Sequence, residues 1–408
     1  MIRHSFGPKT KLIHGNPHNE DHDLNSHSFP IFQTGSFRFN SVVEGKCIFS
    51  GQSHCDAYSR VSNPNHRFLE ERLCILEGGQ AAQVFDSGMT AIKVLLMSLL
   101  RSGDEVVAHR SLYGGTDALL RDLARFEIKT HFVDAKNPQN VFRAVNEKTK
   151  LIFLETPSNP ILDICDFKAI KKEFLEQDED VLVVVDNTFA TPCNQQPLKH
   201  SVDIVVESLT KYLNGFGNYI GGAIITSQDL MAKIWERYHA SGGMMDPETA
   251  SRISTNMMTI YDRMACHNQN GEIIARFLYN NPAVKRVYYP GLPNHPNHKV
   301  AVKLMKGFGG VVSFELKNEE KSSTFLDQLA SDRSSGKGII SLSVSLGSVD
   351  SLICCPALST HLSLTPEERV NQGIDNGLIR LSTGIENVED IIYSLERGFG
   401  SIEGGENC

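Results

Sequence analysis

The chain has 408 residues, 40% hydrophobic and 22% charged, with 40 Lys+Arg against 48 Asp+Glu and a formal net charge of −8. That length exceeds one ordinary core and predicts two or three units, while mild acidity without a long basic block excludes phosphate-driven nucleic-acid binding. No run approaches the ~20 apolar residues of a membrane helix, and the nine scattered cysteines lack the CxxC spacing of a zinc site or disulfide framework, so no metal is expected.

Residues 1–65 carry turn formers throughout and no sustained helical period, which predicts an extended arm that must lie on its own domain or on a partner subunit. The arm's first residues are polar and lack a secretory core, which predicts a cytoplasmic protein. From Asn65 the pattern turns helical, with Phe68, Leu69, Leu73 and Leu76 on one face before Gly78-Gly79 ends it. Ser87-Gly88-Met89 precedes a second helical period (Met89, Ile92, Leu95, Leu96, Leu99), so it sits at a helix start, where free backbone N–H groups favour an anion.

Short apolar runs at 105–108, 128–132, 151–154, 181–185, 204–206 and 220–225 alternate with polar or helical connectors. That alternation predicts an α/β layer around a mostly parallel sheet covered on both faces. Ligands of such sheets gather at the carboxyl edge. The polar residues that follow the runs are Tyr113, Glu155 to Asn159, Asp186-Asn187-Thr188, and Ser208, Thr210 and Lys211. Beyond Asn281-Pro282 a smaller α+β domain is expected, with strands at 310–316 and 378–382, a terminal helix, and Cys354 and Cys355 as buried thiols.

These strand-end residues complement one another for pyridoxal phosphate. A lysine desolvated at the end of a buried strand loses its proton more readily and can form a Schiff base. Asp186 would face the pyridine nitrogen, where a carboxylate ~4 Å from a pyridinium gains about 4 kcal/mol at an effective dielectric near 20 and keeps the ring protonated. Tyr113 offers a stacking face and a phenol, and Ser208, Thr210 and the Gly88 and Met89 amides suit the phosphate.

The motifs Tyr58-Ser59-Arg60 with Asn63-Pro64, Ser87-Gly88-Met89, Leu112-Tyr113-Gly114, Glu155 to Pro160, Asp186-Asn187-Thr188, Ser208 to Tyr212, Ser345-Leu346-Gly347 and Ile379 to Glu386 stand in one order along the chain. From about Tyr58 to Gly398 it thereby resembles the cysteine/methionine-metabolism pyridoxal-phosphate enzymes, the group of cystathionine γ-synthase, cystathionine β- and γ-lyases and methionine γ-lyase.

The resemblance implies the PLP-dependent transferase fold type I, with an arm (1–65), a PLP-binding large domain (66–264) and a small domain (265–408). It implies Lys211 as the Schiff-base lysine and proton shuttle, Asp186 on the ring nitrogen and Tyr113 on the ring. Gly88, Met89, Ser208 and Thr210 would bind the phosphate, and Asn159 would lie near the ring hydroxyl and the substrate. Arg380 would clamp the substrate carboxylate with Ser345 nearby. Tyr58 and Arg60 would reach the phosphate of the neighbouring subunit in a homotetramer built as a dimer of dimers.

The activity implied is that of a carbon–sulfur lyase of transsulfuration, releasing a thiol from cystathionine or methionine and leaving a 2-oxo acid and ammonia. γ-Replacement on an activated homoserine is the alternative, ahead of transamination or an inactive scaffold. Departures from the family's pattern at Gly115, Glu207, Phe216 to Asn218, Asn256 to Met258 and Asp350 bear on substrate choice. Gly115 stands where methionine γ-lyases carry a reactive cysteine, and Glu207 stands where a histidine is common.

Overall fold

The computed structural model describes residues 6–15, 26–50, 55–176, 180–362 and 364–403. Among them, the apolar runs expected to be strands fold into a large sheet. It comprises β1 (Ala81–Phe85), β2 (Glu105–His109), β3 (Lys129–Val133), β4 (Thr149–Glu155), β5 (Leu182–Asp186), β6 (Ile204–Ser208) and β7 (Gly222–Thr226), in the spatial order β1-β7-β6-β5-β4-β2-β3. The pairs linking β2 to β6 are parallel, whereas β7 runs antiparallel to both β6 and β1. β1 is not among the expected strands, because its five residues read as a lead-in to the helix that follows.

The strands are apolar on both faces because both are covered. Val184, Ile204, Val206 and Phe153 pack into one core, and Val183, Val185, Ile152 and Leu154 into the core on the opposite face.

The arm is not wholly extended, which corrects the expectation from its turn residues. It contains two short helices, α1 (Pro8–His14) and α2 (Val42–Phe49). Leu12 of α1 is fully buried in the same core as Leu69, Leu73 and Leu76 of α3 (Pro64–Glu77), so one apolar anchor fixes a segment too short to show a period. Residues 1–5, 16–25 and 51–54 of the arm lie outside the described residues. α3 begins on the Asn63 cap and ends at Gly78, whose φ of 78° makes glycine the natural stop. α4 (Gly88–Leu99) starts on Ser87, whose side chain accepts the Thr90 N–H, and α5 (Gly114–Asp122) follows Tyr113.

A second sheet contains β8 (Val284–Tyr288), β9 (Val311–Leu316), β10 (Ser341–Leu342), β11 (Leu352–Cys354) and β12 (Leu378–Ser382), in the order β10-β11-β12-β9-β8. A 21-residue helix, Ile260–Asn280, runs across position 265 between the two sheets. On β12 the two-residue period places Ile379 and Leu381 in the core with Phe314, Phe325 and Leu395, and so turns Arg380 to the other face. Its register partner Ser313 donates from Oγ to the Pro160 carbonyl at 2.6 Å, so that face lies against the loop after β4.

Candidate active site

The register of the large sheet puts the ends of its central strands side by side. Glu155 pairs with Asp186, Asp186 with Val206, and Ser208 with Gly222, the first residue of the reversed β7. Because β7 is reversed, β1 on its far side again points its C-terminus at this edge, and Phe85 also pairs with Gly222. Ser87-Gly88 is thereby carried to the same row.

A cavity of about 290 Å³ opens above that row. Its walls include Gly88, Met89, Tyr113, Asn159, Asp186, Ser208, Thr210, Lys211, Ser345 and Arg380, ten positions drawn from segments up to about 290 residues apart. Tyr58 and Arg60 do not line it; Arg60 lies 5.6 Å from the Tyr58 ring centroid and donates from Nη1 to the His239 carbonyl.

Lys211 follows β6 in a turn held from behind. Arg263 on the 21-residue helix donates to the carbonyls of Tyr212, Leu213 (3.3 Å) and Asn256 (3.1 Å) and to Thr259 Oγ1 (3.0 Å). Sequence reasoning gave Arg263 no role, since a helical arginine reads as solvated surface; its burial at 5% exposure is a tertiary fact. At the tip, Lys211 Nζ donates to Ser345 Oγ at 2.9 Å. Burial and, second, the nearby Arg380 charge lower the ammonium to about 8. Ser345 meets it by adopting φ 84°, a left-handed conformation that costs a non-glycine residue on the order of 1–3 kcal/mol.

Across the cavity, burial pushes the Asp186 carboxyl upward, partly offset by the hydroxyl and N–H of Thr188, the latter at 3.1 Å. Glu155 ties two walls together, accepting the Tyr113 N–H on Oε2 and the Asn159 N–H on Oε1, each at 2.7 Å. Its burial and the neighbouring Asp186 hold it well above the usual carboxylate range. Arg380 donates from Nη1 to Asn159 Oδ1 and from Nη2 to the Ser345 carbonyl, both at 2.9 Å, while its buried Nε has no partner among the described residues. A buried guanidinium whose hydrogen bonds go to neutral oxygens has the chemistry to receive a carboxylate.

The same donor set fits pyridoxal phosphate. At the far end, a Cβ on Gly88 would come within 3.2 Å of Ser208 Cβ, and a Cβ on Gly222 would come 2.3 Å from Ser87 O and 2.5 Å from Gly88 N. Backbone amides, Ser208 and Thr210 thus form a cup that only glycine leaves open. Asp186 is a buried carboxyl that suits a ring nitrogen, and Lys211 is a partly buried amine that suits an aldehyde. Gly222→Ala drives a methyl into backbone that cannot yield; it should cost at least about 2 kcal/mol in urea unfolding and weaken cofactor retention.

The Cys/Met metabolism PLP-dependent enzyme family matches residues 9–400. The L-methionine gamma-lyase of Fusobacterium nucleatum subsp. polymorphum is 43% identical over 381 residues, 92% of this chain and 94% of that protein. The cystathionine beta-lyase of Lactococcus lactis subsp. cremoris (strain MG1363) is 38% identical over 95% of this chain and 97% of its own length. The crystal structure of cystathionine gamma-lyase from Lactobacillus plantarum complexed with L-serine superposes with a TM-score of 0.90 at 38% identity, covering 98% of this chain and 100% of that one. With identity spread over almost the whole length and a strand-edge cavity suited to the cofactor, the chain belongs to the Cys/Met metabolism PLP-dependent enzymes and uses pyridoxal 5′-phosphate.

Proposed function

We propose that this carbon–sulfur lyase takes an L-amino acid carrying a thioether, with cystathionine first and methionine second, and releases a thiol, a 2-oxo acid and ammonia. The observation that carries the reading is the polarity of the cavity. One wall presents the buried Arg380 guanidinium, and others present the apolar side chains of Ile92, Phe189, Ile220, Val344 and Leu346. An α-carboxylate at the first and an apolar sulfur chain along the others would satisfy both.

When bound, pyridoxal phosphate supplies the electron sink that lets the Cα–H bond of an amino acid ionise. In the roles proposed here, Asp186 would keep the ring nitrogen protonated, and the Gly88 and Met89 amides, Ser208 and Thr210 would hold the phosphate. Tyr113 covers the ring face, and Arg380 with Asn159 and Ser345 fixes the carboxylate. Lys211 then takes the Cα proton, its lowered basicity leaving a larger fraction of free amine near neutrality. The Tyr113 hydroxyl, on the cavity wall, would protonate the departing sulfur.

Identification of the 2-oxo acid formed from L-cystathionine tests the reading. Pyruvate means cleavage at Cβ, 2-oxobutanoate cleavage at Cγ, and neither product moves the assignment to γ-replacement on an activated homoserine. Gly115 bears on methionine as substrate: a Cβ there would lie 2.7 Å from Tyr113 Cε1 and 3.1 Å from Met89 Sδ, so a cysteine would have to displace the ring.

In the same reading residues 1–65 are an arm, 66–264 hold the cofactor and 265–408 deliver Ser345 and Arg380. Val42 and Phe49 on α2 are 87% and 73% exposed, which suits a surface covered by a second copy. Tyr58 and Arg60 of one protomer would then reach the phosphate of the other, within a dimer of dimers. Arg60→Ala should weaken cofactor binding about tenfold or more without altering unfolding of the protomer, measured by equilibrium dialysis. Buried thiols such as Cys165, Cys354 and Cys355 suit a reducing cytoplasm, and no helix among the described residues is long and apolar enough to cross a membrane.

A further inference from the structure

On β6 the two-residue period separates two kinds of side chain. Val206 and Ser208 line the cofactor cavity, whereas Val205 and Glu207 face the opposite side, against α3. Glu207 is 1% exposed, and it meets Glu77, the last residue of α3, which is fully buried. A lone carboxylate costs several kcal/mol to bury unless paired, and neither of these has a salt bridge among the described residues. The two carboxyl groups instead lie close enough to each other to interact directly. Asn187 binds Glu77, donating from Nδ2 to Glu77 Oε1 at 2.9 Å, and it is held in turn by Gln195 through two contacts of 3.0 Å.

Among the described residues, both Glu207 oxygens and Glu77 Oε2 lack a donor when both groups are ionised. A proton between them makes one Glu207 oxygen a donor to Glu77 Oε2 and so reduces the three atoms to one. Two unprotonated carboxylates ~4 Å apart would repel by about 4 kcal/mol at an effective dielectric near 20. Burial raises both carboxyls, Glu207 further through the Glu77 charge; Glu77 already accepts the Asn187 Nδ2–H, which favours its carboxylate, whereas Glu207 has no donor among the described residues, so the proton belongs on Glu207. The pair joins three elements at one level. Asn187 follows Asp186, and Glu207 precedes Ser208, the residues placed against the ring nitrogen and the phosphate.

We propose that Glu207 is a neutral carboxylic acid in the working enzyme and a positioning residue for the cofactor: its O–H, donated to Glu77, locks the ends of β5 and β6 in register beneath the cavity. The charged and titratable groups facing the pair are Asp186 on β5, Lys199 in the turn before β6, Cys193, and Tyr261 and Arg263 on the 21-residue helix. The sign follows from the raised carboxyl. The lock is intact while Glu207 is protonated and is lost as pH rises through its folded-state titration, which leaves two buried charges.

The test measures cofactor dissociation from the holoenzyme, by absorbance after gel filtration, from neutral to alkaline pH. Wild type should lose affinity along an alkaline limb by about 10–100-fold, the worth of one hydrogen bond to a charged group. Glu207→Gln, whose amide donates to Glu77 but does not titrate, should remove that limb. Glu207→Ala should bind weakly at every pH. An infrared difference spectrum, wild type minus Glu207→Gln at neutral pH, should contain the C=O band of a protonated carboxyl, which keeps the proposal testable if Glu207→Ala does not fold. Superimposable pH profiles for wild type and Glu207→Gln, or absence of that band, would overturn it. Cofactor retention is independent of which carbon–sulfur bond is cleaved, so these outcomes are separate from failure of the lyase assignment.

Discussion

Lys211→Ala should lower kcat by about 10³-fold or more, since the variant loses the group assigned to move the Cα proton, and a positioned base alone contributes about 10²–10⁴-fold. The variant should still fold, because the turn is held by Arg263 on main-chain carbonyls and not by the lysine side chain. It should still bind cofactor in the cup, but without the covalent link that borohydride traps on Lys211 in wild type. Added methylamine should restore part of the rate, which a folding defect would not permit. In wild type, attachment of the apo-protein to pyridoxal phosphate should speed up as pH rises and level off above about 8, where the amine is mostly free. An ordinary lysine would keep accelerating to about 10.5, and at neutral pH it would present a few hundred-fold less free amine. Borohydride label on another lysine, or a rate still climbing well past pH 9, would remove Lys211 from this role.

Arg380→Ala should lower kcat/KM by about 10²–10³-fold, with most of the loss in KM, as expected when a buried carboxylate loses its guanidinium partner at about 3–4 kcal/mol. Arg380→Lys should recover little, because one ammonium cannot hold Asn159 Oδ1 and the Ser345 carbonyl and also present two parallel donors to a carboxylate. Steady-state kinetics with L-cystathionine, beside an inhibition constant for an amino acid lacking the sulfur chain, separates carboxylate binding from the chemistry. If inhibition weakens no more than twofold in Arg380→Ala, the carboxylate sits elsewhere.

Much of this site is legible in the chain because its residues lie at strand ends, and strand ends are marked by the switch from apolar runs to polar turns. Asp186 and Ser208 end such runs, and Lys211 follows one by three positions. Arg380 is legible for a related reason: within Leu378–Ser382 it is the one charge in an apolar strand, and alternation sends it to the face opposite Ile379 and Leu381.

What could not be read depends on contacts between distant segments. β1 is short and ordinary in sequence, and only pairing with β7 makes it a strand. The helices of the arm are too short for periodicity to register, and α1 exists because Leu12 is buried against α3. Arg263 and Glu155 act through backbone groups, which leave no trace in side-chain pattern.

The pairing of β1 with β7 alone also has a consequence for biosynthesis. Among the described residues β1 has no other neighbour in the sheet, and its partner emerges from the ribosome about 140 residues later, on the order of ten to thirty seconds at ordinary elongation rates. Until then the Ser87-Gly88 half of the phosphate cup has nothing to close against, and the nascent chain must carry apolar segments whose contacts do not yet exist. A cofactor that binds the finished cup therefore cannot assist the first half of folding; it can only capture the chain once β7 has threaded between β1 and β6.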